Sequence, residues 1–380
     1  MKLLLLIDGW RERIEIRHLK GTHAGVYRCV RNRLTGPVLT DIIDSHGLTS
    51  AWTFLAIFVG VSLVMLWRLE AMLAHGMEGT ALGTIVMPYC SGLGNLLFIF
   101  IMVQRGGAAR EVLTNCLVNN VTNLTLLLGL PSVLWGLTII KGASKPKSGT
   151  ATKAKGKEPK GGSAVIGAKV NRLSLLLTLT AVLFFTGAAW LLAQDGELSR
   201  TDGLILIGLF LFWQSFQVYD VMKHNVQKKK SFGFMFYLDA ALVFLCAWAL
   251  YESIDWLVAW ITAQKTGFVS GANLGWLSGW LMVVPNALLA LYWGWKRRAD
   301  VVYTSQIGDG HICIPLCLGV YALMMPVLKV PVFFGNGLLL LLGAVVMHGI
   351  SLLIFGGLPR WIGAVFLAAY GWFVWAGLTG

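Results

Sequence analysis

The sequence predicts an all-α membrane protein of about ten transmembrane helices, arranged as two inverted five-helix repeats. Three observations predict this. Apolar runs of bilayer length recur along the chain, basic residues gather on alternate connections, and a stretch of the first half returns, altered, in the second. Hydrophobic residues make up 56% of the chain and charged residues only 13%. Soluble domains carry about 25% charged residues, so the surplus apolar surface is expected to face lipid. The 16 tryptophans suit the membrane boundary, where an amphipathic ring meets both environments.

A bilayer core of about 30 Å needs roughly 20 apolar residues in helix. Spans are expected near 51–69, 80–103, 111–140, 173–193, 202–222, 234–262, 274–295, 299–325, 331–355 and 360–378. Backbone groups in lipid must pair internally, and the runs lack the alternation of a barrel strand, so each is a helix. The domains follow as a basic segment 1–50, a first five-helix repeat 51–222, a basic joint 223–233 and a second repeat 234–380. Within the first repeat, 141–172 carries eight lysines and one acid among Gly, Ser, Thr and Pro, the composition of a flexible linker.

Cations mark the connections after spans 3, 5, 7 and 9. They include Lys145–Lys169, Lys223, Lys228–Lys230, Lys296–Arg298 and Arg360, whereas the opposite side holds Asp195, Glu197 and Asp202. The positive-inside rule then predicts a multi-pass protein of the plasma (inner) membrane, with basic loops cytoplasmic and both termini outward. Residues 1–50 run against this, with seven basic residues from Arg11 to Arg33. Either that tail is translocated despite its charge, or it lies along the membrane surface, or a span is miscounted. The loops cover more of the chain, and the outward assignment is kept.

The net charge of +13 lies between apolar runs or in the first fifty residues. It therefore fits topology and contact with anionic lipids near the basic loops, and no nucleic-acid partner is expected. Five of the six cysteines fall in apolar stretches, where Cys acts as a small hydrophobe, so no disulfide framework is expected. Met1–Ile7 is too short for a signal peptide.

The internal repeat carries the functional signal. Ser91-Gly92-Leu93-Gly94-Asn95 leads through Arg110-Glu111 and Asn115-Cys116-Leu117-Val118-Asn119-Asn120-Val121-Thr122-Asn123 to Leu128-Gly129. Val283-Val284-Pro285-Asn286 leads through Arg298-Ala299-Asp300 and Gln306-Ile307-Gly308-Asp309-Gly310-His311-Ile312-Cys313 to Leu318-Gly319. The copies fall in spans 2–3 and 7–8, one in each five-span half, and an odd count per half inverts the second copy. Inverted repeats with interrupted polar helices at the midplane are a secondary-transporter plan. There Gly and Pro free backbone carbonyls to meet an ion.

These stretches resemble the paired α-repeats of the sodium/calcium exchanger (cation/calcium antiporter) superfamily. That family shows Gly-Thr-Ser-x-Pro-Glu followed by Gly-Asn-x-x-Gly-Ser-Asn-x-x-Asn. The resemblance implies an exchanger-like fold and a cation antiporter working by alternating access, with spans 1 and 6 moving against a core of spans 2, 3, 7 and 8. Its two ion-binding glutamates fall on Asn95 and Asn286, and second-repeat Asn positions on Gly310 and Cys313. Calcium prefers six to eight oxygens that include carboxylates, and two amides with one acid balance a monovalent cation or proton better. Candidate ion-binding residues are therefore Asn95, Asn120, Asn123, Asn286 and Asp309, with Ser91, Asn119 and Asp239 secondary. The partners are cations (Na+, H+ or Ca2+).

Each candidate has a plainer reading. Asp309 could be a structural acid at a helix break, the amides interhelical glue worth about 1 kcal/mol, and Asp239 an acid at a wet helix end. His311, Cys313 and Cys317 offer soft-metal chemistry, but helical cysteines are simpler read as packing, and no firm metal site is assigned. His348 reads as an interhelical hydrogen-bonding group. No nucleophile motif or phosphate loop points to an enzyme, and no cofactor is expected. The alternative is a transport-inactive, exchanger-like subunit that anchors a larger complex. Loss of both glutamates fits that alternative, as do the N-terminal segment and the basic linker as docking points for protein partners.

Overall fold

The computed structural model describes residues 48–74, 87–139, 161–225, 234–308, 310–325 and 327–379. The chain forms two units, Met1–Phe54 and Leu55–Gly380. In the first, the described residues are the opening turns of a helix; all that follows concerns the second.

The described residues form ten apolar helices. They are α1 (Leu48–Ala74), α2 (Met87–Arg105), α3 (Ala109–Trp135), α4 (Gly161–Leu192) and α5 (Arg200–Asn225). Then come α6 (Phe234–Ala263), α7 (Leu274–Trp295), α8 (Ala299–Met324), α9 (Val332–Phe355) and α10 (Arg360–Thr379). Nine are long and apolar enough to cross a bilayer, and α2 adds the shorter apolar stretch Gly92–Arg105. The chain is an all-α, multi-pass membrane protein.

Several helix ends differ from those expected, each for a local reason. The sequence predicts span 3 as 111–140 because apolar residues continue past Trp135. Gly136, with φ 73°, stops the helix, and Leu137–Thr138 run on as strand β1. A positive φ turns the chain out of the helix, and glycine bears it without steric cost. Gly356, with φ 66°, caps α9 in the same way, ahead of Gly357–Leu358. Helix α4 starts at Gly161, twelve residues before the expected 173, so the end of the 141–172 stretch continues the helix instead of forming linker. Extending an existing helix adds one hydrogen bond per residue fixed, without a new nucleus. Residues 141–160 and 226–233 lie outside the described residues, as do residues 1–47.

Strand β2 (Glu197–Ser199) precedes α5, β3 (Val327–Lys329) follows α8, and β4 (Gly357–Leu358) precedes α10. Strands β1 and β4 pair antiparallel, Leu137 opposite Leu358. Strands β2 and β3 pair antiparallel, Glu197 opposite Lys329 and Ser199 opposite Val327. Exchanging each element for its counterpart five helices along turns one ribbon into the other. The first joins the connections after α3 and α9, the second those after α4 and α8. Odd and even connections emerge on opposite faces of a layer of spanning helices, so each face carries one ribbon.

The packing repeats the symmetry. Helix α10 lies along α3, α5 along α8, and α4 along α9. Helices α3 and α10 cross at Gly129 and Gly363: a Cβ on Gly363 would stand 2.8 Å from the Gly129 carbonyl oxygen. Helices α8 and α5 cross at Gly319 and Gly203, where a Cβ on Gly203 would stand 2.7 Å from the Gly319 oxygen. Small residues let backbones approach where lipid supplies no hydrophobic drive.

Candidate functional site

Helices α2, α3, α7 and α8 meet along faces of small and amide residues. On α7, a Cβ on Gly275 would lie 2.7 Å from Thr114 Cβ, and one on Gly279 would lie 2.8 Å from Val118 Cβ, so α7 presses directly on α3. Asn115 Nδ2 donates to Ser278 Oγ at 2.9 Å across that contact. On α2, Gly92 abuts Ile312 of α8 and Gly94 abuts Met282 of α7.

Helices α3 and α8 each carry a π-helical turn, Thr122–Leu126 and Cys313–Cys317, within the corresponding part of each repeat. The sequence predicts interruption by Gly and Pro. Instead α7 runs unbroken through Pro285, and the ladders of α3 and α8 bulge. A π turn shifts one carbonyl out of the i→i−4 pattern without ending the helix. In α3 such a carbonyl is used: Leu124 O accepts from His348 Nε2 of α9 at 2.7 Å. The ring stacks on Phe366 at 4.3 Å and lies 3.4 Å from the Tyr303 hydroxyl through Nδ1. Since a carbonyl only accepts, Nε2 carries the proton. His348 is thus an interhelical hydrogen-bonding group.

The second elements of the two repeats touch. Asn119 Oδ1 accepts from Asn123 Nδ2 at 3.1 Å and from the Cys313 thiol at 3.6 Å. Asn120 Nδ2 donates to Cys116 O at 2.7 Å, and a Cβ on Gly310 would stand 3.5 Å from Asn120 Oδ1. The first elements also reach the seam. Asn286 is buried on α7, and its backbone oxygen accepts from Gln306 Nε2 of α8 at 3.2 Å. Beside Asn286 lies a cavity of about 20 Å³ that also touches Ser62, Cys90, Gly94 and Pro285. One water-sized occupant fits such a space.

Asn95 is fully buried on α2, and among the described residues neither atom of its amide has a hydrogen-bond partner. Asn115 Oδ1, Asn119 Nδ2, Gln306 Oε1 and Thr186 Oγ1 are likewise buried without one. Buried polar groups are nearly always satisfied, so such a cluster calls for a reason. The buried groups left without a partner are amide and hydroxyl atoms, dipoles without net charge.

Asn95, Asn119, Asn120, Asn123 and Asn286 therefore lie on α2, α3 and α7, three of the four helices of one seam. Asp309 lies outside the described residues, and so does the side chain of Ser91. Asp239 sits near the start of α6, ion-paired to Arg68 of α1 at 3.4 Å. Among the described residues no group of three or more His, Cys, Asp and Glu side chains could hold a metal, and His311 instead meets the Thr178 carbonyl at 3.2 Å. Sequence reasoning missed Asn115 and Gln306 as seam residues. Gln306 stood in the repeat one helical turn before Asp309, and a glutamine in an apolar span is the signal that could have found it.

Residues 46–219 match the family model of the sodium/calcium exchanger protein. The fold is similar to solved structures of the sodium-calcium exchanger NCX_Mj. With crystals soaked in 2.5 mM Na+ and 10 mM Sr2+ the TM-score is 0.57, at 16% identity over 84% of this chain and 94% of that one. With 10 mM Na+ and zero Ca2+ it is 0.58, at 15% identity over 85% and 96%. No curated protein sequence matches the chain. Likeness at this identity concerns the fold.

Proposed function

We propose that this chain, a divergent relative of the sodium/calcium exchangers, is a cation antiporter that works by alternating access and carries a monovalent cation or a proton. The observation that carries the reading is the seam of buried amides where the two inverted repeats meet, with Asn95 and single atoms of Asn115, Asn119 and Gln306 lacking a partner among the described residues. Amide oxygens solvate a cation through dipoles, and the mirrored helix pairs supply two related arrangements, one open to each face. Asn95, Asn120, Asn123 and Asn286 would line the path, with Asn119 and Gln306 beside them, and Asp309 would supply the balancing charge. Charge decides the substrate class: a dication beside one carboxylate leaves a net positive charge in low dielectric, whereas a monovalent ion leaves none. Binding and movement complete the cycle, and no covalent chemistry is involved. The basic loops would be cytoplasmic.

The test is flux into proteoliposomes under imposed Na+, K+, Ca2+ and proton gradients. Asp309→Asn combined with Asn286→Ala is expected to lower flux at least about tenfold, the loss of about 1.4 kcal/mol of stabilisation. Unchanged flux removes the proposed site. No flux from the unaltered chain under any gradient overturns the transport reading.

A further inference from the structure

A second cavity, of about 440 Å³, lies at the end of the α3–α7 contact, among the starts of α3, α7 and α9 and the end of α10. Its volume is that of a small-molecule site. One wall is aromatic: Trp276, Phe333 and Phe373 stand with ring centroids 5.2–5.6 Å apart, and the exposed Trp372 adds to the lining. The opposite chemistry comes from Glu111, buried at 9% exposure. One of its carboxylate oxygens accepts from the Gly275 N–H at the start of α7, at 2.6 Å. Among the described residues Glu111 forms no salt bridge. Its neighbour Arg110 is exposed and also lines the cavity.

We infer that this cavity binds an organic ammonium group, with the headgroup of a zwitterionic phospholipid as the form that fills it. The charge of exposed Arg110 reaches Glu111 only from the solvent side, and a buried carboxylate gains from an ammonium ion within reach. Aromatic faces attract the same ion through their quadrupole, more so when water is excluded. A bare metal ion fits worse, because it needs a shell of oxygens that an aromatic wall does not give. The place and the second charge favour a headgroup. The cavity opens among helix ends, where phosphates and amines of a bilayer lie, and exposed Arg110 beside buried Glu111 matches a phosphate joined to an ammonium. The inference rests on the membrane-spanning fold alone and holds whether or not the chain transports ions.

The experiment is native mass spectrometry of the delipidated full-length protein, titrated with short-chain phosphatidylethanolamine, phosphatidylcholine and phosphatidylglycerol, and separately with ethanolamine and choline. The two zwitterionic lipids are expected to bind at least about tenfold more tightly than phosphatidylglycerol, which has no ammonium. Glu111→Gln, which keeps an acceptor for the Gly275 N–H and so the fold, is expected to erase that preference. Phe333→Ala is expected to weaken it. Arg110→Gln is expected to weaken both zwitterionic lipids while leaving choline binding unchanged. Binding of ethanolamine or choline at affinities equal to the lipids identifies a free amine as the occupant and supports the ammonium site. Equal binding of phosphatidylglycerol, binding indifferent to Glu111→Gln, or no binding by any probe overturns it.

Discussion

At the scale of the residue, the chain is governed by what glycine permits and what asparagine demands. Gly129, Gly203, Gly319 and Gly363 let two helix pairs approach to backbone contact. Gly129→Val or Gly319→Val should each destabilise the folded protein by about 1–3 kcal/mol, because neighbouring backbone cannot give way. Gly343→Ala, in open space on α9, should be neutral or slightly stabilising, since alanine is the better helix former. Thermal unfolding in detergent separates the two outcomes. The asparagines were legible because amides in apolar spans are expensive, and the repeat picked out Asn95, Asn120, Asn123 and Asn286. Which atoms find partners was not legible, since that depends on side-chain geometry across helices: Asn120 bonds back to Cys116 in its own helix, whereas the Asn95 amide has no partner among the described residues.

At the scale of the element, helix α6 is tied at both ends. Near its start Asp239, 2% exposed, pairs with Arg68 of α1 at 3.4 Å. Near its end Asp255 accepts from Arg105 of α2, Nε at 2.9 Å and Nη2 at 2.6 Å. The shorter contact is the weaker tie. Both its partners are about a third exposed, and such pairs are worth under about 1 kcal/mol. Removing Arg68 takes a cation from a carboxylate that is only 2% exposed, a larger loss than at a solvated pair. Arg68→Met should therefore lower the unfolding temperature more than Arg105→Met, and Arg68→Met with Asp239→Asn should recover much of the loss. Equal effects of the two single changes would contradict the ranking. Element positions were readable from apolar length and cationic flanks. The π turns were not, because an extra residue in a turn leaves the apolar pattern almost unchanged. Nor were the strands, which are only two or three residues long.

At the scale of the whole molecule, the inverted plan was legible from one altered repeat and the parity of the spans, and the ribbons supply the geometric counterpart. Because β1·β4 and β2·β3 follow odd and even helices, cysteines placed at Thr138 and Glu197 in a cysteine-free background should react with a membrane-impermeant maleimide from opposite sides of sealed vesicles. Reaction from the same side would break the two-fold relation. The ribbons bear on how such a molecule closes. Each takes one strand from either half, so a solitary five-helix half would end in two unsatisfied strand edges, one at each surface of the bilayer. Edges of that kind recruit partners. Only an upside-down second copy offers both mates at once, so the single chain amounts to an antiparallel dimer whose subunits have been tied end to end.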